Sequence, residues 1–182
     1  WGGGLLVILP FAIAPLRRDW PVIRRSLPLL LFFGAIGFAT FNILVYAAAY
    51  WTSGVNIAIE QVAVNIFVML LNFVIFRTRV RGLQLVGVLL TILGVAITAT
   101  HGDLTRLLAL DINLGDALVL LACLAYAIYS LTLRYRPASH WLSFLTVTFI
   151  GAVLTSLLFQ FLLGGGPARL PVILSEITLQ GW

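Results

Sequence analysis

The sequence predicts an all-α protein, a polytopic bundle of membrane-spanning helices, and three observations predict it. Hydrophobic residues make up 62% of the 182-residue chain and charged residues only 9%, whereas soluble domains carry about 25% charged residues. Mean hydropathy is +1.10, so polar side chains are too scarce to cover a soluble globule. The apolar residues gather in runs of about 20, the length a helix needs to cross the hydrocarbon of a bilayer. Arginines cluster between these runs on alternate connections, as the positive-inside rule requires of a protein that crosses repeatedly.

Each element follows from that frame. Residues 5–16 (LLVILPFAIAPL) are too short for a full crossing and read as part of one. Residues 27–50 form a full span, and residues 55–76 the next. Residues 82–100, 116–134 and 141–163 complete the set, giving five full spans and one partial. The connections at 17–26, 77–81 and 134–140 hold nine of the eleven arginines and are expected on the cytoplasmic side of an inner (plasma) membrane. The other connections, 101–115 and 164–182, hold only Arg106 and Arg169 beside Asp103, Asp111 and Glu176 and are expected outside. Tyr50 and Trp51 then mark the outer interface and Trp20 and Trp141 the inner one, where amphipathic rings settle. Gly87, Thr91, Gly94 and Thr98 form a small-residue seam on one span, a surface another helix can approach closely.

Composition also excludes. Every basic residue is an arginine, and the net charge is +5. The arginines form no contiguous face, however, so topology accounts for them better than a nucleic-acid partner does. Cys123 is the only cysteine, which rules out an internal disulfide or a multi-cysteine metal site. His101 and His140 lie at distant ends of apolar runs and share no metal. No zinc-protease or nucleophile-elbow motif is present, so no catalytic residue, metal or enzymatic activity is expected. A homo-oligomer is allowed but not indicated. The chain opens on Trp1 and shows no secretory leader pattern, which reads as a piece of a longer protein.

Function is sought in polar groups inside the spans, because hydrocarbon penalises each one that lacks a partner. The run NIAIEQVAVNIFVMLLNFVIF (56–76) carries a glutamate, a glutamine and three asparagines. On one helix, Gln61, Asn65 and Asn72 would fall within roughly 40° of one another. Asn42, Tyr46 and Tyr50 follow an i, i+4, i+8 pattern on the preceding span. Tyr126, Tyr129 and Ser130 cluster on a later one, and Thr148 and Thr155 share a face of the last. Such stripes can be interhelical glue, which makes a non-transporting scaffold the competing expectation. Several stripes with tyrosines exceed what pairing requires, so they are expected to converge on a hydrated cavity for a small-molecule solute. Its lining would be Asn42, Tyr46, Gln61, Asn65, Tyr126 and Tyr129. Glu60 is the one acidic residue well inside a span. Burial disfavours its charged form, which suits a proton-coupling carboxylate. Asp116 is expected to cap a helix N-terminus.

Four segments resemble the EamA branch of the drug/metabolite transporter superfamily. NILVYAAAYWTSG (42–54) is similar to that family's asparagine-to-"yTsa" stretch, and QLVGVLLTILGVAIT (84–98) to its "Q-x-x-G…G-V" helix. GDALVLLACLAYAIYSLTLRYRP (115–137) resembles its "Gd…a…wAly…rr" helix, and the arginine-rich connections fall where its cytoplasmic loops do. The resemblance implies a ten-helix transporter of two inverted five-helix repeats, of which this chain holds part of span two through span seven. Residues 1–100 would end the first repeat, 101–115 would be an outer loop, 116–163 would begin the second repeat, and 164–182 would lead to the next span. It further implies a secondary carrier of small metabolites or drugs working by alternating access in the bilayer, with no prosthetic cofactor. Two positions depart from the family pattern. Arg77 and Thr78 replace a common Gly-Glu at the inner end of span four, and Asn65 stands where proline is frequent.

Overall fold

The structure is a computed structural model that describes residues 1–100 and 113–163. The expected outer loop over 101–112, with His101, Asp103, Arg106 and Asp111, and the tail from 164, with Arg169 and Glu176, lie outside the described residues. So does the side chain of Thr98. Among the described residues seven α-helices follow in order: α1 (Gly2–Phe33), α2 (Phe41–Ala48), α3 (Gly54–Glu60), α4 (Ala63–Phe76), α5 (Gly82–Thr100), α6 (Leu114–Thr132) and α7 (Trp141–Leu163). No strand occurs among the described residues. Among the described residues four helical runs are long and apolar enough to cross a membrane: Gly2–Ala48, Gly54–Phe76, Leu114–Tyr135 and Trp141–Leu162. A shorter apolar stretch is Gly82–Val95. Exposed residues include Leu6, Phe11, Leu83, Leu89, Phe161 and Leu162, an apolar exterior suited to acyl chains. The chain is a multi-pass, all-α membrane protein.

The expected break between the first two spans is corrected. No loop separates residues 5–16 from 27–50, because residues 17–26 are helical within α1. The helix continues through a π-helical turn at Gly34–Thr40 into α2. The helical run of 47 residues is more than twice the ~20 a crossing needs, so part of it must lie outside hydrocarbon. Arg17, Arg18, Arg24 and Arg25 are all exposed along it. Charge marks where a chain leaves lipid, but it does not end a helix, and arginine is a good helix former. Pro10, Pro15, Pro21 and Pro28 lie inside α1; each removes a backbone donor without ending it. The loops expected at 77–81 and after Tyr135 are present.

The chain divides into two compact units, Trp1–Ala35 with Ala138–Trp182, and Ile36–Pro137. In the first unit α1 packs along α7. Ala12, Ile23, Leu30 and Phe33 are buried from α1, and Phe144, Val147 and Ala152 from α7. The Phe33 and Phe144 rings meet at 5.9 Å, and Trp1 meets Phe149 at 5.6 Å. Glycines permit the close approach. A Cβ on Gly34 would collide with the backbone of Thr148 and Ala152, and one on Gly151 would lie 2.7 Å from the Leu31 carbonyl oxygen. That is small-residue packing of the kind membrane helices use. The first turn of α7 is held by α1: the His140 N–H donates to the Asp19 carboxylate at 2.7 Å.

In the second unit α6 is the hub, packed by α2, α3 and α4. Ala48, Ile57, Val119 and Cys123 form its buried cluster, with Val45, Val64 and Phe67 against it. The guanidinium of Arg134 lies 3.9 Å from the centre of the Phe76 ring at the end of α4. The expected single helix over 55–76 is interrupted at Gln61–Val62. There Val62, Val64 and Asn65 donate to Ile59, Gln61 and Val62, each three residues back, a tightened turn between α3 and α4.

Helix α4 ends on Arg77, whose φ of 50° places it in the left-handed region. The Thr78 N–H and hydroxyl both close on the Asn72 carbonyl, the hydroxyl at 2.9 Å. Glycine, common here in the resembling family, fits this conformation without the penalty of a Cβ, about 1 kcal/mol. Arg77→Gly in the full-length protein is therefore expected to stabilise it by about 1 kcal/mol. Thermal unfolding in detergent would show it as a raised midpoint, and a lowered midpoint would refute the assignment.

Candidate functional site

The tightened turn at Gln61–Val62 sets up the first cluster. Because Val64 donates to Gln61 instead of one residue earlier, the Glu60 carbonyl is left open. The Cys123 thiol of α6 donates to it at 3.6 Å. Asp116 sits in the first turn of α6 and completes the cap that its position predicted. The Asn113 side chain accepts from the Gly115 and Asp116 N–H groups, and the Asn113 N–H donates to Asp116 Oδ2 at 2.8 Å. This reciprocal box satisfies the orphan donors of the helix end. The Glu60 carboxyl lies within hydrogen-bonding reach of the Asp116 carboxyl. Yet Glu60 Oε2 and Asp116 Oδ1 are both buried and close no hydrogen bond among the described residues. Asp116 is only 7% exposed. The buried Thr52 hydroxyl stands beside the same carboxyl as a further donor. Gly115 presses against Thr52 and the Ala48 carbonyl, where its missing Cβ would come within 2.9 Å of both.

A second cluster is aromatic. Tyr126 and Tyr129 of α6 meet at 5.5 Å. Phe41 lies 5.2 Å from Tyr126 and Phe38 5.8 Å from Tyr129. Phe38 belongs to the π-helical turn, and neighbouring Gly37 lets the Tyr129 ring rest on the backbone. Widened turns of this kind re-aim the residues that follow and recur at functional positions.

A third feature is an open groove of about 600 Å³ between α4 and α5. Asn65, Met69, Asn72, Arg79, Gln84 and Thr91 are among its lining residues. Most of that polarity is already engaged. Asn72 donates to the Val68 carbonyl at 3.0 Å, Gln84 accepts from the Arg81 N–H at 2.9 Å, and Thr91 donates to Gly87 at 2.8 Å. The Asn65 amide makes no hydrogen bond among the described residues and is exposed. Gly87 and Gly94 of the small-residue seam have no heavy atom within 4 Å of a Cβ position.

The expected lining residues therefore fall in different places. Tyr126 and Tyr129 stack together, and Asn65 lines the groove. Asn42 donates to the Phe38 carbonyl at 2.8 Å. Gln61 is exposed at the turn, and Tyr46 is 69% exposed. Asn42, Asn72, Thr146 and Thr148 all bond carbonyls of their own helical run three or four residues back. Sequence reasoning had Glu60 and Asp116 separately, as an intramembrane carboxylate and a helix cap. Their meeting carries no local sequence signal, because it depends on how α3 docks on α6.

A family model for EamA-like transporters matches residues 1–100. The chain belongs to the EamA-like transporter family. Over 180 residues this EamA-like chain is 26% identical to the uncharacterized transporter YyaM of Bacillus subtilis (strain 168), covering 98% of this chain and 56% of that protein. It thus spans little more than half the length of that relative. No solved structure matches it.

Proposed function

We propose that the protein of which this EamA-like chain forms part is a secondary carrier. It moves a small metabolite or drug across the inner membrane by alternating access, with Glu60 as the coupling carboxylate. Residues 77–81 and 134–140 face the cytoplasm in this reading, and residues from 116 open a second repeat. The observation that carries the solute site is the unengaged Asn65 amide on the groove between α4 and α5. A volume of about 600 Å³ suits a small organic molecule, and one open amide on a mixed apolar and polar wall supplies orientation. Tyr126 and Tyr129 offer ring faces on α6, and Asn42, Tyr46 and Gln61 line the path rather than the groove.

Support for the carrier over the scaffold comes from the hydrogen bonds just described. Polar side chains that bond their own helix hold no neighbours together, so cohesion falls to glycine contacts and apolar packing. The test is uptake and efflux of a metabolite panel by the full-length protein in proteoliposomes, with and without a proton gradient. Asn65→Leu is expected to cut flux of the transported solute about tenfold, equivalent to about 1.4 kcal/mol of lost binding. Absence of any solute flux in the wild type would overturn the carrier reading, and unchanged flux in the variant would remove Asn65 from the site.

A further inference from the structure

We propose that Glu60 and Asp116 hold one exchangeable proton between them, so that the pair, rather than Glu60 alone, is the protonation unit of the protein. This rests on the carrier reading and gives its coupling carboxylate a partner. The argument is one of donors. Asp116 Oδ2 takes the Asn113 N–H, while Oδ1 is buried and closes no hydrogen bond among the described residues. Glu60 Oε2, on the carboxyl that reaches Asp116, is in the same condition. Carboxylates only accept when ionised, and two that share a site cannot both ionise at low cost. Buried acceptors in native structures have donors, so a hydrogen is the missing ligand.

The Thr52 hydroxyl can serve one oxygen of Asp116, which leaves Glu60 Oε2 without a donor among the described residues. Cys123 faces Glu60 from α6, but its thiol points to the Glu60 backbone carbonyl. Helix α5, also packed on α3, carries no titratable residue between Gly82 and Thr100. Among the described residues no basic side chain acts on either carboxyl. On proton uptake from solution, one O–H bond forms on a carboxyl oxygen of the pair and hydrogen-bonds to the other residue. The pair passes from two negative charges to one, and release reverses this.

The test uses the full-length protein in proteoliposomes, read by infrared spectroscopy across pH and by proton-gradient-driven solute uptake. The wild type is expected to show a protonated-carboxyl carbonyl band that disappears in both Glu60→Gln and Asp116→Asn. Asn at 116 keeps an oxygen for the Asn113 N–H, so the helix cap survives this change. Each variant is expected to lose gradient-driven uptake at least tenfold, and the double variant to lose no more than the worse single one, as members of one unit do. A band that persists in either variant, is absent from the wild type at every pH, or gives way to sodium-dependent uptake overturns the shared proton. Additive losses overturn it as well. A band lost in both variants of a protein that moves no solute keeps the shared proton and sinks the carrier reading instead.

Discussion

Leucine in place of Gly34 is expected to leave little folded protein. The position faces α7 with no room for a side chain: a Cβ there would run into the Thr148 carbonyl and lie 2.7 Å from the Ala152 nitrogen. Both obstacles are backbone atoms of a regular helix, so no rotamer change relieves the clash. Thr148 is itself fully buried, with its hydroxyl fixed to the Leu145 carbonyl at 2.9 Å. Overpacking costs about 1–3 kcal/mol when neighbours can shift and more when they cannot, and here α1 and α7 must separate. The loss extends to the Phe33–Phe144 contact and to Leu30 and Val147, which depend on the same spacing. Size-exclusion profiles and thermal unfolding of the full-length protein would show aggregation or a steep fall in midpoint. Gly34→Ala should lie between the two, and a Leu variant that unfolds like the wild type would refute this account of the α1–α7 crossing.

Gly115→Leu should be the second most damaging change, by a different route. The missing side chain at this position makes room for the Thr52 Cβ, the Ala48 carbonyl and the Asn113 side-chain oxygen, all within 2.9 Å of where a Cβ would lie. A leucine would push the start of α6 off the end of α2 and displace Asn113 from its cap. Loss of the capping box costs about 1 kcal/mol, and the overpacking adds about 1–3 kcal/mol. The Glu60–Asp116 contact would be lost with it, because Asp116 is carried by the same turn. The variant should therefore be destabilised and also lack gradient-driven uptake, whereas Glu60→Gln should lose uptake with its unfolding midpoint nearly unchanged. Thermal unfolding and uptake measured on both variants separate the two effects, and a stable Gly115→Leu protein would refute the packing described for this turn.

How much of this was legible beforehand differs from element to element. The ranges expected for α5 and α7 coincide with the helices found, because apolar length and flanking arginines are strong local signals. The Asp116 cap was legible for the same reason: an acidic residue just inside a helix start satisfies a donor only three residues away. The segment 17–26 was misjudged as a loop, since a charge cluster reports where lipid ends and says nothing about backbone hydrogen bonding. The break at Gln61–Val62 was hidden, because the residues around it are ordinary helix formers and the freed Glu60 carbonyl is satisfied only by Cys123 from another helix. Counting polar residues along a helical face located Asn65 and the tyrosines. It could not tell which amides would turn back onto their own helix, as Asn42 and Asn72 do.

Sequence alone determined the environment and the family. Too few polar side chains exist to face water, the apolar runs match a bilayer, and the order of motifs from Asn42 to Pro137 resembles the EamA pattern that the match over residues 1–100 then established. Tertiary structure decided which polar groups meet. Glu60 faces Asp116 beside the close approach at Gly115, Tyr126 meets Tyr129 where Gly37 lets the Tyr129 ring rest on the backbone, and Gly34 and Gly151 let α1 and α7 come close. Hydropathy is a property of each residue and survives in a linear string. A contact between carboxyls on separate helices exists only once those helices have docked.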